Sequence, residues 1–447
     1  MRLALAFLTL FLAGAAAAQA SPAVIHGADP KSYSLDLRYL RHGSGVLAGS
    51  ERIEFLNRGP VALDRVWLRL WANGPDRCRP RRIAVKVEAP ARAGAEATRC
   101  SAREVLLPAA LAPGDRGSIS LTFTIHVRKA DDRFGHAGKV TLLGNVIPVL
   151  AVEDDRGLHL ERYSPNGESF YSLAARWDAR LRLPARLRAA TTGRVLSERV
   201  RRWQRTLHVG TAQARDFGLA IGPLRVTTTT ARGVRIRAFA RKGARNVRDS
   251  LKAARRTVDT LTHRVAPYGG RDLNLVLLGG GVGGFGGMEY PELVFTMPFD
   301  NVVAHEVAHQ WWYGLVGDDQ FREPWLDEAF ATYFEQRQYP LFDLCDPRRP
   351  FGVVASRFRS FPLDSTMEVW DRSPLAYGDV VYLGGACALE RLERDIGNTR
   401  MTAFFRLLQT RFRFGVMRKS DVIDAIHEVA PSYDVAGWLQ LAHLSSP

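Results

Sequence analysis

Residues 301–335, NVVAHEVAHQWWYGLVGDDQFREPWLDEAFATYFE, decide how the rest of this chain is read. They contain HEVAH at 305–309. On a helix, residues four apart lie on one face, so His305 and His309 can grip the same ion. Glu306 adjoins them, placed to handle the proton of a water without being a ligand. The helix is expected to run out near Gly314 and Gly317, and Pro324 is suited to open a second one. That second helix carries WLDE at 325–328, which puts Glu328 eighteen intervening residues after His309. Two imidazoles and one carboxylate leave the fourth position of a tetrahedral zinc ion, one per chain, for water. This is the catalytic rather than the structural ligand count, since a structural zinc takes four protein ligands, usually with cysteine. An ordinary amphipathic helix that happens to carry two histidines does not account for Glu328.

HEVAHQWW at 305–312, WLDEAFATYFE at 325–335 and GMEYP at 287–291 together resemble the aminopeptidase N family of zinc metallopeptidases. This gluzincin group includes leukotriene hydrolase and bacterial relatives with a GGMEYP variant. The resemblance covers most of the mature chain. It implies zinc ligands His305, His309 and Glu328, with Glu306 as general acid and base. It also implies that Glu289 anchors the free α-amine of a peptide, with Gly286, Gly287 and Met288 beside the substrate backbone. In AYGDVVYLGGACALERL at 376–392, Tyr382 matches the family's oxyanion-stabilising tyrosine, with Gly384 where the family usually has lysine. Tyr377 is a packing aromatic or an auxiliary to it. Glu335, seven after Glu328, is either a partner of a zinc histidine or a surface salt bridge. Larger relatives carry a further helical-repeat domain, which is not expected here.

The 447 residues allow two or three domains. Residues 1–20 have a basic start at Arg2, a short apolar run and Ala18-Gln19-Ala20, and read as a cleaved secretory signal. No later stretch is long and apolar enough to span a bilayer, so export to a periplasm or the extracellular space is expected. In an oxidising compartment Cys78 and Cys100 are expected to pair, whereas Cys345 and Cys387 are a second bridge or buried thiols. The net charge of +16 is concentrated in arginine clusters at 77–82, 199–205 and 241–256. These read as solvated surface, with weak attraction to an anionic envelope surface as the alternative. They lack the aromatic interleaving of nucleic-acid binders, so no nucleic acid is expected.

From Tyr33 the chain alternates, with Tyr33, Leu35, Leu37 and Tyr39 on one face, and such strands continue to about Val226. This predicts an all-β domain, a sandwich or saddle, over 21–232. The phrases YSLDLRYL, SERIEFLNRGP, LDRVWLRLWANG and RDFGLAIG resemble the family's strands there. From 233 to 447 a mainly helical, thermolysin-like catalytic domain with a small sheet is expected, so the whole is multi-domain α+β. Residues 246–265 follow a three-four apolar spacing and predict an amphipathic helix, and 272–278 a buried strand. The glycine run at 279–287 includes a G-x-G-x-x-G, but the sequence after it reads as a strand at 289–295 rather than a helix, which excludes dinucleotide binding. Ser420 and Asp421 are expected to cap a helix through Val429, with a last helix at 434–444.

The reading is therefore an exported zinc aminopeptidase acting on peptides with free N-termini. A thermolysin-like endopeptidase shares the zinc spacing, and a zinc-retaining binding protein shares the ligands without turnover. Glu289 and Tyr382 separate the first from the second, and an intact Glu306 separates both from the third. Epoxide hydrolysis, which the resemblance also implies for one branch, has no feature here that asks for it.

Overall fold

The computed structural model describes residues 24–40, 45–75, 78, 80–129, 133–279, 286–340, 345 and 360–445. The expected secretory signal and residues 280–285 of the glycine run lie outside these residues. Period-two alternation becomes a seven-stranded sheet built from β1 (Ala28–Leu40), β2 (Val46–Asn57), β3 (Ile83–Val87), β4 (Arg116–His126), β5 (Ala175–Pro184), β6 (Arg194–Arg201) and β7 (Gln204–Ala214). Its order is β6-β7-β5-β1-β2-β4-β3, antiparallel except for β1 beside β5. Tyr33, Leu35, Leu37 and Tyr39 point into one core with Ile53, Phe55, Ile119, Leu121 and Phe123. Two four-stranded sheets complete this β layer, and Asn145, Ser164 and Glu168 lie in the loops that follow them.

The second unit is organised by a five-stranded sheet of β8 (Leu224–Ala231), β9 (Val234–Arg241), β10 (Asp272–Leu277), β11 (Gly287–Met288) and β12 (Leu293–Thr296). Its order is β8-β9-β10-β12-β11. The β8–β9 hairpin straddles the division expected at 232/233, so the sheet begins before that point. Both faces of this sheet are covered, which is why its strands read as continuous apolar runs rather than alternating ones. Ile236, Ala238, Leu273, Leu275 and Val294 face the helices, while Phe239, Val276, Leu293 and Phe295 face the β layer. The single strand expected at 289–295 is instead two short antiparallel strands. Glu292 takes a left-handed φ of 61° between them, and Leu293 N donates to Tyr290 O at 2.9 Å.

The longer helices among the described residues are α1 (Val247–Arg264), α2 (Asp300–Ala308), α3 (Trp325–Gln338), α4 (Gly385–Ile396), α5 (Asn398–Arg411) and α6 (Lys419–Val429), and the helix expected at 434–444 spans Val435–Leu441. α1 buries Leu251, Ala254, Val258 and Leu261, as its spacing demands. α2 ends well before Gly314. Gly317 has a different task from ending a helix, since a Cβ there would lie 2.2 Å from the Arg215 guanidinium carbon. At α6, Asp421 is the third residue of the helix and its carboxylate accepts from Arg418 N at 2.8 Å, so Ser420 is not the cap. Cys78–Cys100 and Cys345–Cys387 are both bridged. No helix among the described residues is long and apolar enough to cross a membrane.

The two units are held together by buried charge. Arg215 reaches out of the β layer and donates to Tyr313 O at 2.8 Å, to Ser172 O at 3.1 Å and to Gly415 O. Beside it, His159 meets Asp154 at 2.8 Å and Asp319 at 3.2 Å, while Arg418 reaches Asp154 at 3.0 Å and Arg322 reaches Glu161 at 2.9 Å. Burial opposes a charge on His159, but Asp154, Asp319 and Glu161 outweigh it and raise its pKa to about 10. A raised histidine pKa stabilises the fold fully below the ordinary value near 6.5, and that contribution fades as pH climbs through about 10. His159→Gln is therefore expected to cost roughly 3 kcal/mol at neutral pH. Calorimetry should also show that the variant loses much of the decline in melting temperature that the parent undergoes between neutral and alkaline pH.

Candidate metal centre

α2 and α3 pack against each other, and this brings three ligand-type atoms to one point. His305 Nε2 and His309 Nε2 are 3.1 Å apart. Glu328 Oε2 lies 3.1 Å from the first and 3.4 Å from the second. His305, His309 and Glu328 form the group of buried metal-ligand residues among those described, with their ligand atoms all within 4.8 Å of one another.

The hydrogen bonds on the far side of each ring decide what that point accepts. His309 Nδ1 faces the Trp312 carbonyl at 3.0 Å and His305 Nδ1 faces Glu335 Oε2 at 3.2 Å. Both partners are acceptors, so both Nδ1 atoms carry the proton and both Nε2 atoms present lone pairs. Two lone pairs and a carboxylate facing one another are satisfied only by positive charge. The same field acts on the histidines themselves. Burial would lower His309, but Glu328 raises it to about 9, and His305 is likewise raised well above its ordinary value by Glu328 and Glu335. These residues fit a zinc ion on donor chemistry and count. Glu335 is thus the partner of a ligand histidine rather than a surface ion pair, and Asn301 Nδ2 holds its other oxygen at 3.0 Å.

Glu306 is buried beside the ligands, with Oε2 free of any hydrogen-bond partner among the described residues. Burial raises its pKa to about 8, with His305 and His309 pulling it down and Glu289 and Glu328 pushing it up. Gly287 makes this position possible, since a Cβ at 287 would stand 2.2 Å from the Glu306 carboxylate. Tyr382 lies in a π-helical stretch (Gly378–Gly384), its ring stacked on His305 at 5.6 Å and its hydroxyl donating to Glu328 Oε1 at 2.6 Å. Tyr377 packs edge-on against it at 5.5 Å.

Glu289 is buried, not solvent-facing, and its Oε1 accepts from Gln320 Nε2 at 3.0 Å. Gln310, the residue after His309, clamps the turn by donating to Tyr290 O at 3.1 Å and accepting from Glu292 N at 2.7 Å. Gly286 O accepts from Met297 N at 2.9 Å, and β11 is the sheet edge. For Met288, expected beside the substrate backbone, side chain and backbone lie in different places. That side chain is fully buried in the β-layer core, and only its backbone lies at the edge.

Three contributors escaped the sequence. Gln320 bridges Glu289 and Asp327, donating to the latter at 2.8 Å. Asp327 is raised to about 8 by burial and by Glu328. Glu168, from the β layer, is raised well above an ordinary carboxylate by burial and then by Glu289, with Arg133 at 3.6 Å in partial compensation. Asp327 stood visible in WLDE, whereas Glu168 sits in an irregular loop with no pattern to betray it.

Residues 296–440 match the Peptidase family M1 domain. Among curated proteins the chain is similar to leucine aminopeptidase 2 of Yarrowia lipolytica, 24% identical over 173 residues, 32% of this chain and 26% of that protein. It is 29% identical over 150 residues to aminopeptidase N of Haemonchus contortus, 30% of this chain and 15% of that protein. The chain thus spans about a quarter or less of these relatives' lengths. Among solved structures it is similar to the M1 zinc metallopeptidase of Deinococcus radiodurans, with a TM-score of 0.71, 19% identity and 94% of each chain covered. A glutamate-to-alanine mutant of that protein, bound to a Tyr-Ser-Ala substrate, gives a TM-score of 0.69 at 19% identity, covering 94% of this chain and 95% of that one.

Glu335→Gln is expected to weaken zinc binding about 10- to 100-fold without unfolding the chain, measured by competition with a chromogenic chelator. Gly287→Ala is expected to keep full zinc content by elemental analysis while displacing the Glu306 carboxylate.

Proposed function

We propose that this chain, which carries a peptidase family M1 domain, is a zinc aminopeptidase that removes residues from the free N-termini of peptides. The observation that carries this reading is one buried cluster. It contains a three-ligand cation site, a basic carboxylate at Glu306 and a further buried carboxylate at Glu289.

His305, His309 and Glu328 would hold the zinc, whose Lewis acidity acidifies a water and polarises the scissile carbonyl. Glu306 accepts the proton of the attacking water and later delivers it to the leaving amine, and its raised basicity suits it to both transfers. Tyr382 turns its hydroxyl, otherwise given to Glu328, toward the oxyanion of the tetrahedral intermediate. Glu289 receives the α-ammonium. A cation entering this site relieves the repulsion among buried carboxylates, so free-amine substrates are favoured over blocked ones. The open edge of β11 offers backbone hydrogen bonds to the substrate strand.

Export to a periplasm or the extracellular space belongs to the same proposal. It is supported by the signal-like residues 1–20 and by two disulfides, which are rare in reducing compartments.

The test compares matched peptides with free and N-acetylated termini, using Glu306→Ala as the control. Free-amine peptides alone should be cleaved, with turnover lost in the control. Equal cleavage of both would replace the reading by an endopeptidase, and no cleavage by the zinc-loaded protein would replace it by a binding protein. Tyr382→Phe is expected to lower kcat roughly 100- to 1000-fold with little change in KM.

A further inference from the structure

Of the three arginine clusters read in the sequence, the one at 199–205 departs from a plain solvated surface. It lies on the β6–β7 hairpin, at one edge of the seven-stranded sheet, where β6 pairs only with β7 among the described strands. The hairpin turns at Arg202, whose φ is 49°, and at Trp203. Trp203, the one aromatic in this cluster, is 87% exposed at the tip. Leu196 and Val200 on the same hairpin are 54% and 51% exposed. Leu196 and Val200 lie on opposite faces of the hairpin and are ordinary single exposures, but a tryptophan this exposed at the tip of an arginine-rich hairpin is not.

The charge around them is one-sided. Residues 185–205 contain seven arginines and a single acid, Glu198, which is ion-paired with Arg205. Arg186, Arg199, Arg201 and Arg202 have no acidic partner among the described residues. Ala185 N donates to Trp203 O at 2.7 Å, which brings the loop of Arg186 alongside the tip.

We propose that the β6–β7 hairpin docks the protein on an anionic lipid bilayer. Trp203 enters the headgroup layer at the hairpin tip, and the unpaired guanidiniums of Arg199, Arg201 and Arg202 meet lipid phosphates. An indole is at home in that layer because one part of it is apolar and its N–H keeps a polar partner. Guanidinium forks match phosphate geometry. A soluble polyanion would use the arginines but leave Trp203 in water. A second copy pairing along the open edge of β6 would bring like-charged arginines together. The bilayer is the partner that uses both halves of the patch, and it does so whether or not the chain is a peptidase.

The experiment is co-sedimentation of the full mature chain with vesicles of phosphatidylcholine alone or mixed with phosphatidylglycerol. Binding is expected to be roughly tenfold tighter or more on the mixed vesicles, and to weaken as salt is raised. Trp203→Ser, which leaves the charge unchanged, should lose roughly fivefold or more, and the combined Arg199→Ser, Arg201→Ser and Arg202→Ser variant should lose the preference for anionic lipid. An unchanged melting temperature would show that these exposed substitutions leave the fold intact. The proposal is overturned by no sedimentation with anionic vesicles or by full binding of Trp203→Ser. It is equally overturned by a concentration-dependent dimer that Trp203→Ser abolishes without any effect on vesicle binding.

Discussion

Crowding of buried negative charge is the constraint on which the rest of this structure depends. Glu168, Glu289, Glu306, Asp327, Glu328 and Glu335 are all buried around one cleft. Burial pushes Glu168, Glu306 and Asp327 toward the neutral form, and neighbouring carboxylates push them further. Glu328 escapes because two imidazoles face it, and it is held well below the ordinary carboxylate range despite its burial. At Glu168, Glu306 and Asp327 burial prevails. A protein that assembles such a cluster loses stability by doing so, and positive charge brought into the cleft relieves that loss.

Holding that cluster together requires backbone to approach side chain very closely. A Cβ at Gly144 would lie 1.6 Å from the Tyr290 hydroxyl, and one at Gly167 would lie 2.6 Å from that of Tyr377. Both glycines belong to the β layer and both tyrosines to the catalytic unit. Ser164 Oγ donates to Asp371 at 2.6 Å and Asn166 Nδ2 to Trp370 O at 3.0 Å along the same seam. The β layer is therefore one wall of the cleft rather than a neighbour to it, and Arg215, donating only to carbonyls, fixes its distance from the turn at Tyr313.

Much of this was legible in the sequence where local pattern governs. Period two gave β1, β2 and β4, three-four spacing gave α1 to within a residue or so of each end, and the histidine spacing brought His305 and His309 side by side. Legibility stopped where distant segments meet. Glu168 touches Glu289 electrostatically across a long loop, with no periodicity to mark it. Glu335 was ambiguous because the sequence places it on the face of Glu328 without saying that Asn301 and His305 lie opposite. The segment at 289–295 looked like one strand ending in Leu293, Val294 and Phe295, yet Glu292 adopts a conformation that its own side chain disfavours, held by Gln310 clamping the turn from just beyond α2. Met288 was assigned by its motif to the substrate, while its side chain is claimed by the core.

The seam between the two units also sets an order of events. Ligands come from 305–328, the tyrosine from 382, the wall from 144–168, and the ion-pair network closes only through Arg418. Synthesis must therefore reach Arg418 before these parts can meet. Fragments from interrupted synthesis would carry the motif without the assembled cleft. On the proposed reading, whatever activity the motif supports stays latent while the chain is being made, because the parts of the site lie so far apart in sequence.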